Sequence, residues 1–112
     1  MSCLFCKIVA GEIPATRLYE DDRTLAFADI DPKAPTHVLI IPKQHIPSQA
    51  HITPQDEALL GHLFHAAAQL AQQHGLTEGY RLVLNTGPDG GQTVDHLHIH
   101  LLGGRAMHWP PG

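Results

Sequence analysis

Three histidines at alternate positions, His96-Leu97-His98-Ile99-His100, are the residues of this chain best suited to do chemistry. An extended backbone repeats every two residues, so His96, His98 and His100 share one face while Leu97, Ile99 and Leu101 share the other. Successive imidazoles are then about 6.6 Å apart along the strand. The aliphatic set calls for a hydrophobic partner layer, and the rings line a second surface. Three uses fit such a row: a solvated face, ligands for a tetrahedral metal, or a nucleophile with neighbours that orient it and move protons. A solvated strand face more usually draws on Thr, Lys, Glu or Arg, which makes the first reading the weakest.

The loop before the histidines favours the nucleophile. Asn85-Thr86-Gly87-Pro88-Asp89-Gly90-Gly91-Gln92-Thr93 contains three glycines, two side-chain amides and a hydroxyl near its end. Glycines let backbone N–H groups approach an anion closely, and Asn, Gln and Thr add neutral donors. An ordinary hairpin loop would account for the glycines and for Asp89-Gly90, but not for a loop that feeds directly into three histidines. Loop and strand together read as a phosphate site with a nucleophile inside it.

The elements that must position this site are read from the remaining pattern. With 112 residues the chain is one domain's worth, 1–112, and at that size more than roughly 60% of the unfolded chain's surface is buried on folding without disulfides. Hydrophobic residues at 43% and charged residues at 16% exclude a disordered tail or a coiled coil. The longest apolar run, Val38-Leu39-Ile40-Ile41, is far short of a membrane span, and Met1 to Lys7 lacks the features of a signal peptide, so a cytoplasmic protein is expected. Seven basic and eleven acidic residues, with no basic cluster, argue against a nucleic-acid partner.

Cys3 to Ala10 reads as a short helical turn, and strands are expected over Thr16–Tyr19, Thr24–Ala28, His37–Ile41, Tyr80–Asn85 and Val94–Leu102. One long helix is expected over Pro54–His74, with Thr53 as its N-cap, Pro54 at the first helical position and Gly75 as a left-handed cap. Its apolar stripe is Leu59, Leu60, Leu63, Phe64, Ala67, Leu70 and Ala71. His62, His65 and His74 on this helix are expected at solvated or rim positions. Strands before and after one long helix indicate an α+β fold with an antiparallel sheet.

The triad and its loop resemble the histidine triad superfamily, and nearly the whole chain resembles its Hint branch, the histidine triad nucleotide-binding proteins. The resemblance is carried also by Phe27-Ala28-Asp29-Ile30, Ala34-Pro35-Thr36-His37, Ile41-Pro42-Lys43-Gln44-His45 and the ending Gly103-Gly104-Arg105-Ala106-Met107-His108-Trp109-Pro110-Pro111-Gly112. It implies a five-stranded antiparallel sheet, paired with a second copy into ten strands, and hydrolysis of purine nucleoside phosphoramidates. His98 would attack phosphorus, His100 and His96 would flank it, and His37 matches a fourth active-site histidine. Asn85, Gly91 and Thr93 match phosphate-contacting positions, with Thr93 where Ser often stands. Asp29 would meet the ribose hydroxyls, and Ile30, Phe27, Leu4, Phe5 and Ile8 the base, although Phe5 and Phe27 could equally be core. Trp109 would reach toward the partner subunit's site.

Cys3 and Cys6 form a lone Cys-x-x-Cys pair. A disulfide is not expected in a reducing compartment, and two thiolates need two further ligands to close a zinc site. The resemblance supplies His45 and His96 for a structural zinc; two free buried thiols are the alternative. No cofactor is implied for the chemistry itself. Competing functions are a dinucleoside polyphosphate hydrolase, a hydrolase whose triad binds catalytic zinc, and a non-catalytic purine nucleotide-binding module.

Overall fold

The computed structural model describes residues 3–112; Met1 and Ser2, which belong to the N-terminal stretch read above, lie outside the described residues. A short helix α1 (Leu4–Val9) is followed by strands β1 (Arg17–Glu20), β2 (Thr24–Ala28) and β3 (Thr36–Pro42). A long helix α2 (Glu57–Gln73) then leads to β4 (Tyr80–Val83) and β5 (Ile99–Gly103). The five strands form one antiparallel sheet in the order β1-β2-β3-β5-β4. The α+β class and the five-stranded antiparallel sheet expected from the sequence are therefore present.

β3 is central, and its apolar run is continuous because both of its faces are covered. Val38 and Ile40 pack on the α2 side with Leu97, Ile99 and Leu101, whereas Leu39 and Ile41 pack on the α1 side with Phe5, Ile8, Leu25 and Phe27. A strand buried on both sides has no solvent face to alternate toward, which is why the periodicity of β3 is lost while its β-branched character remains. The imidazole face of the 96–100 segment and the aliphatic face that backs it thus belong to two different cores.

The strand ladder is shorter than the side-chain alternation suggests. Val94 to His98 was expected to be strand, yet β5 pairs with β3 only from Ile40↔Ile99 onward. The reason lies opposite: β3 ends at Pro42, which has no N–H to donate, and the chain then turns away. One bond, from Leu97 N–H to the Ile46 carbonyl at 2.7 Å, holds the segment extended past the ladder. β4 likewise stops at Val83, two residues before the expected end, and β1 spans Arg17–Glu20, shifted by one residue.

Helix α2 begins one turn later than expected. Thr53 caps a single 3₁₀ turn over Pro54–Asp56, with its N–H bonded to Asp56 Oδ2 at 2.9 Å, and the α-helix proper starts at Glu57. Gly75 follows at φ +71°, the left-handed residue that ends it. Leu59, Leu63, Ala67, Leu70 and Ala71 are buried as the stripe requires, but Phe64 is 45% exposed and Ala66 takes the inward position beside them. The Leu63 and Leu70 side chains are fully buried, each stabilising the fold by about 1.5–3 kcal/mol.

His62 sits at the rim as expected, and there it ties α2 to the β1–β2 turn. Its Nε2–H donates to Asp21 Oδ2 at 2.6 Å, the same oxygen that accepts from the Tyr19 hydroxyl. The other carboxylate oxygen accepts from the Arg23 and Thr24 N–H groups. Burial alone would raise the Asp21 carboxyl, but these hydrogen bonds outweigh it and hold the group well below the usual carboxylate range. Asp21→Ala removes four partners of one charged group and is expected to lower the unfolding free energy by about 2–3 kcal/mol in urea titrations. A loss below about 0.5 kcal/mol would mean that water replaces the carboxylate at no cost.

Candidate active site

The protonation pattern of the histidines follows from which backbone groups touch them. His98, 5% exposed, places Nδ1 2.7 Å from the His96 carbonyl oxygen. A carbonyl only accepts, so Nδ1 carries the proton and Nε2 keeps its lone pair. His96, fully buried, places Nε2 2.8 Å from the Pro42 carbonyl, which fixes the proton there and leaves the Nδ1 lone pair facing elsewhere. His37 shows the reverse case: its Nδ1 accepts the Lys33 N–H at 3.0 Å, so the proton of the neutral ring sits on Nε2. That Nε2–H meets His100 Nδ1 at 2.9 Å, with Asp29 Oδ2 at 3.4 Å beside it. His100 accepts at Nδ1 and therefore presents Nε2 as an N–H donor.

Two backbone carbonyls and one backbone N–H thus determine four rings. The neighbouring rings of His98 and His100 stand 5.0 Å apart between centroids. Burial lowers the pKa of His37 and of His96, and it pushes His100 down to about 4, with the adjoining His98 and His37 rings adding to the effect. Neutral rings are therefore favoured at those three positions near neutrality, each with one N–H and one lone pair.

The Nδ1 lone pair of His96 points into a four-residue cluster. It lies 3.4 Å from Cys3 Sγ, 3.6 Å from Cys6 Sγ and 3.2 Å from His45 Nδ1, while Cys6 Sγ is 3.2 Å from His45 Nδ1. All four ligand atoms lie within 4.8 Å of one another. Sulfur and nitrogen ligands around a tetrahedral zinc sit about 3.3–3.8 Å apart, so these separations suit the ion. Burial and the adjacent Cys3 raise the Cys6 thiol, and a cation held in the cluster would favour its thiolate. The hydrogen bond from His96 Nε2 to Pro42 is the outer support that a metal-binding imidazole needs. Cys3, Cys6, His45 and His96 fit a closed structural zinc.

Asp29, His37 and His100 also bring three ligand-type atoms within 4.8 Å. They fail the same test, because Lys33 N–H occupies the His37 Nδ1 lone pair and leaves a proton, not a lone pair, at Nε2. Nor do His96, His98 and His100 converge: His96 turns to the cysteines, His98 to a carbonyl and His100 to His37. A catalytic metal held by the triad does not match this arrangement.

The remaining sequence-derived candidates divide by exposure. Phe5 and Phe27 are 4% exposed and meet edge to face at 5.4 Å, and Phe5 also packs on the His98 ring at 5.1 Å. They join Ile8 in the core beneath the histidines, whereas Leu4 and Ile30 are exposed, Ile30 almost fully. Trp109 is exposed in the tail. In the glycine-rich loop Gly91 adopts φ +81°, and a Cβ on Gly90 would collide with the Thr86 backbone. Gln92, expected as a ligand donor, is consumed by the loop itself. Its oxygen accepts Gly87 N–H at 2.9 Å, and its nitrogen donates to the Pro47 and Val94 carbonyls at 2.7 and 3.0 Å. Asn85 and Thr93 take no part in these bonds.

Sequence reasoning missed the Pro42 carbonyl and the Lys33 N–H, since backbone partners carry no residue signature. Because His100 is held near 4, the folded chain binds fewer protons than the unfolded chain between about pH 4 and 6.5. Stability contributed in full above that window is lost as the pH falls through it. The wild type is expected to lose more unfolding free energy between pH 7 and pH 4.5 than His100→Gln; equal losses in urea titrations would contradict this.

Known proteins show the same architecture. The pattern of the HIT domain family matches residues 10–107. The chain is 60% identical over 109 residues to an uncharacterized HIT-like protein of Synechococcus elongatus, covering 97% of this chain and 96% of that one. It is 51% identical over 111 residues to the 14 kDa zinc-binding protein of Zea mays, covering 97% and 87%. Its structure matches the HIT family hydrolase of Legionella pneumophila with a TM-score of 0.98 at 56% identity over 99% and 100% of the two chains. It also matches the histidine triad nucleotide-binding protein of Candida albicans with a TM-score of 0.84 at 37% identity over 97% and 83%. The chain belongs to the HIT domain family.

Proposed function

We propose that the chain is a Hint-type hydrolase that cleaves the P–N bond of purine nucleoside 5′-phosphoramidates through a nucleotidyl-histidine, working as a single HIT domain over residues 1–112. The observation that carries this reading is the His98 ring, whose Nδ1–H is held by the His96 carbonyl so that Nε2 keeps a lone pair next to His100. The hydrolase name of the Legionella relative and the nucleotide-binding name of the Candida relative agree with it.

His98 Nε2 attacks phosphorus, forming the N–P bond as the P–N bond to the amine breaks. The electron pair goes to the departing nitrogen, which leaves only when protonated; the proton comes from solvent, and the neutral His100 ring steadies the departing amine with a hydrogen bond from Nε2–H. The positive charge that forms on the phosphorylated His98 ring is stabilised by the bond from Nδ1–H to the His96 carbonyl. Water then attacks phosphorus and gives up a proton to solvent, the imidazole leaves as a neutral ring with its Nε2 lone pair restored, and the nucleoside monophosphate is released. His37 donates to His100 throughout and so keeps its proton on Nε2.

Asn85, Gly91 and Thr93 are assigned to the phosphate, and Asp29 to the ribose hydroxyls. Leu4 and Ile30 supply exposed apolar surface for the base, over a floor of Phe5, Phe27 and Ile8. Cys3, Cys6, His45 and His96 would hold a structural zinc, which supplies a rigid anchor for His96 and no chemistry of its own. The zinc-binding name of the maize relative accords with that assignment. β4 is an edge strand with Tyr80 exposed, and we assign it to pairing with a second copy, the arrangement in which Trp109 reaches the partner's site. No helix among the described residues is long and apolar enough to cross a membrane.

Adenosine 5′-phosphoramidate carrying a fluorescent amine is expected to be hydrolysed by the wild type, and His98→Ala to lower kcat by about 1,000-fold or more while remaining folded. Binding of AMP without turnover would leave a nucleotide-binding module instead. Metal analysis is expected to find one zinc per chain, lost in Cys6→Ser together with a fall in Tm of roughly 5 °C or more. Equal metal content in the two proteins would overturn the zinc assignment.

A further inference from the structure

The stretch immediately after β5 lies against the loop that leads into β3. Gly104 sits at φ +91°, and a Cβ there would come within 2.8 Å of the Pro35 Cβ, so the chain passes Pro35 at a distance that only glycine allows. Arg105, the next residue, donates from one guanidinium nitrogen to the Lys33 carbonyl at 2.9 Å and from the other to the Ala106 carbonyl at 3.0 Å. Lys33 is the residue whose N–H fixes the His37 ring.

Little else holds that residue. Pro32 and Pro35 bracket it, leaving Lys33 and Ala34 as the only N–H donors between them, and among the described residues no backbone–backbone hydrogen bond is made by residues 31–35. The Lys33 side chain turns outward to Asp31 Oδ2 at 2.7 Å, where both groups are exposed. Apart from the bond of Lys33 N–H to His37 itself, the bond from the Arg105 guanidinium is the hydrogen bond that ties the Lys33 backbone to the rest of the molecule among the described residues.

We propose that Arg105 is a positioning residue for the histidine row: by holding the Lys33 carbonyl it keeps Lys33 N–H on His37 and so keeps the His37 proton directed at His100. Without it, the peptide groups between the two prolines are free to rotate, and His37 Nδ1 loses its fixed donor. The ring then populates the form with Nδ1 protonated, which sets two lone pairs against each other at His37 Nε2 and His100 Nδ1. His100 relieves this only by moving its own proton to Nδ1, which turns its Nε2 from a donor into an acceptor. One exposed arginine–carbonyl bond in the tail therefore decides whether the substrate-facing nitrogen of His100 gives or takes a hydrogen bond. Its effect on turnover rests on the phosphoramidase reading; its effect on the rings does not.

The test uses the full chain, zinc-loaded and labelled with ¹⁵N at histidine. Arg105→Met keeps the apolar stem and removes both donors, and Arg105→Lys restores one donor. In the absence of substrate, the Met variant is expected to show His37 Nδ1 shifted toward the protonated position in imidazole ¹⁵N spectra, with Tm unchanged. In turnover of the fluorescent phosphoramidate it is expected to lose about tenfold in kcat with KM within about twofold, and the Lys variant to recover to within about threefold of wild type. His37 nitrogen shifts that are the same in wild type and Arg105→Met overturn the proposal, whatever happens to kcat. A wild type that hydrolyses no phosphoramidate overturns the proposed function, and the ¹⁵N spectra still decide the role of Arg105.

Discussion

The hydrogen bond between His98 Nδ1 and the carbonyl of His96 is the constraint on which the site depends. It connects two adjoining regions through one residue. The ring of His96 is clamped between the Pro42 carbonyl and the cysteine cluster, while its carbonyl orients the neighbouring His98 ring. A metal that fixes the His96 ring would therefore also fix the acceptor that selects the His98 tautomer. The ion would influence chemistry without touching substrate, through one residue's side chain and main chain together.

The sheet makes this possible by dividing its two faces. On one side Leu97, Ile99 and Leu101 pack against α2 and anchor the segment; on the other, Phe5 packs edge-on against His96 and His98. Burial lowers the pKa of His37, His96 and His100, and a neutral imidazole has one lone pair and one N–H. Whether a ring becomes a ligand, a nucleophile or a donor then turns on which end faces a backbone carbonyl and which faces an N–H. His96 turns a lone pair toward the cysteines because its Nε2–H donates to the Pro42 carbonyl. His37 offers a proton to His100 because Lys33 occupies its lone pair. The same side chain serves opposite purposes a few residues apart.

Much of this was legible in the sequence. The alternation through His96 to Leu101 gave the two faces, and the spacing of Leu59, Leu63, Ala67 and Leu70 gave the helix that covers one of them. The β-branched run of β3 and the cap residues Thr53 and Gly75 were legible too, because each depends on local backbone preference or on burial of a side chain. What was not legible depends on the main chain meeting a distant residue. The end of the β5 ladder is set by Pro42, and the proton positions by Pro42 and Lys33, none of which has a recognisable type at a fixed spacing. Phe64 misled because apolar spacing marks a stripe wider than the face actually covered. Gln92 misled because its amide fits a ligand and a loop equally well, and only the geometry of Gly87, Pro47 and Val94 decides.

The central claim is that main-chain contacts assign each proton in the histidine row, and the His98 ring tests it most directly. Long-range ¹H–¹⁵N correlation of the imidazole nitrogens in the wild-type protein at pH 7.5 reports which nitrogen carries hydrogen. The account requires His98 protonated at Nδ1 with a free lone pair at Nε2. A His98 ring protonated at Nε2 would remove that lone pair and contradict the account.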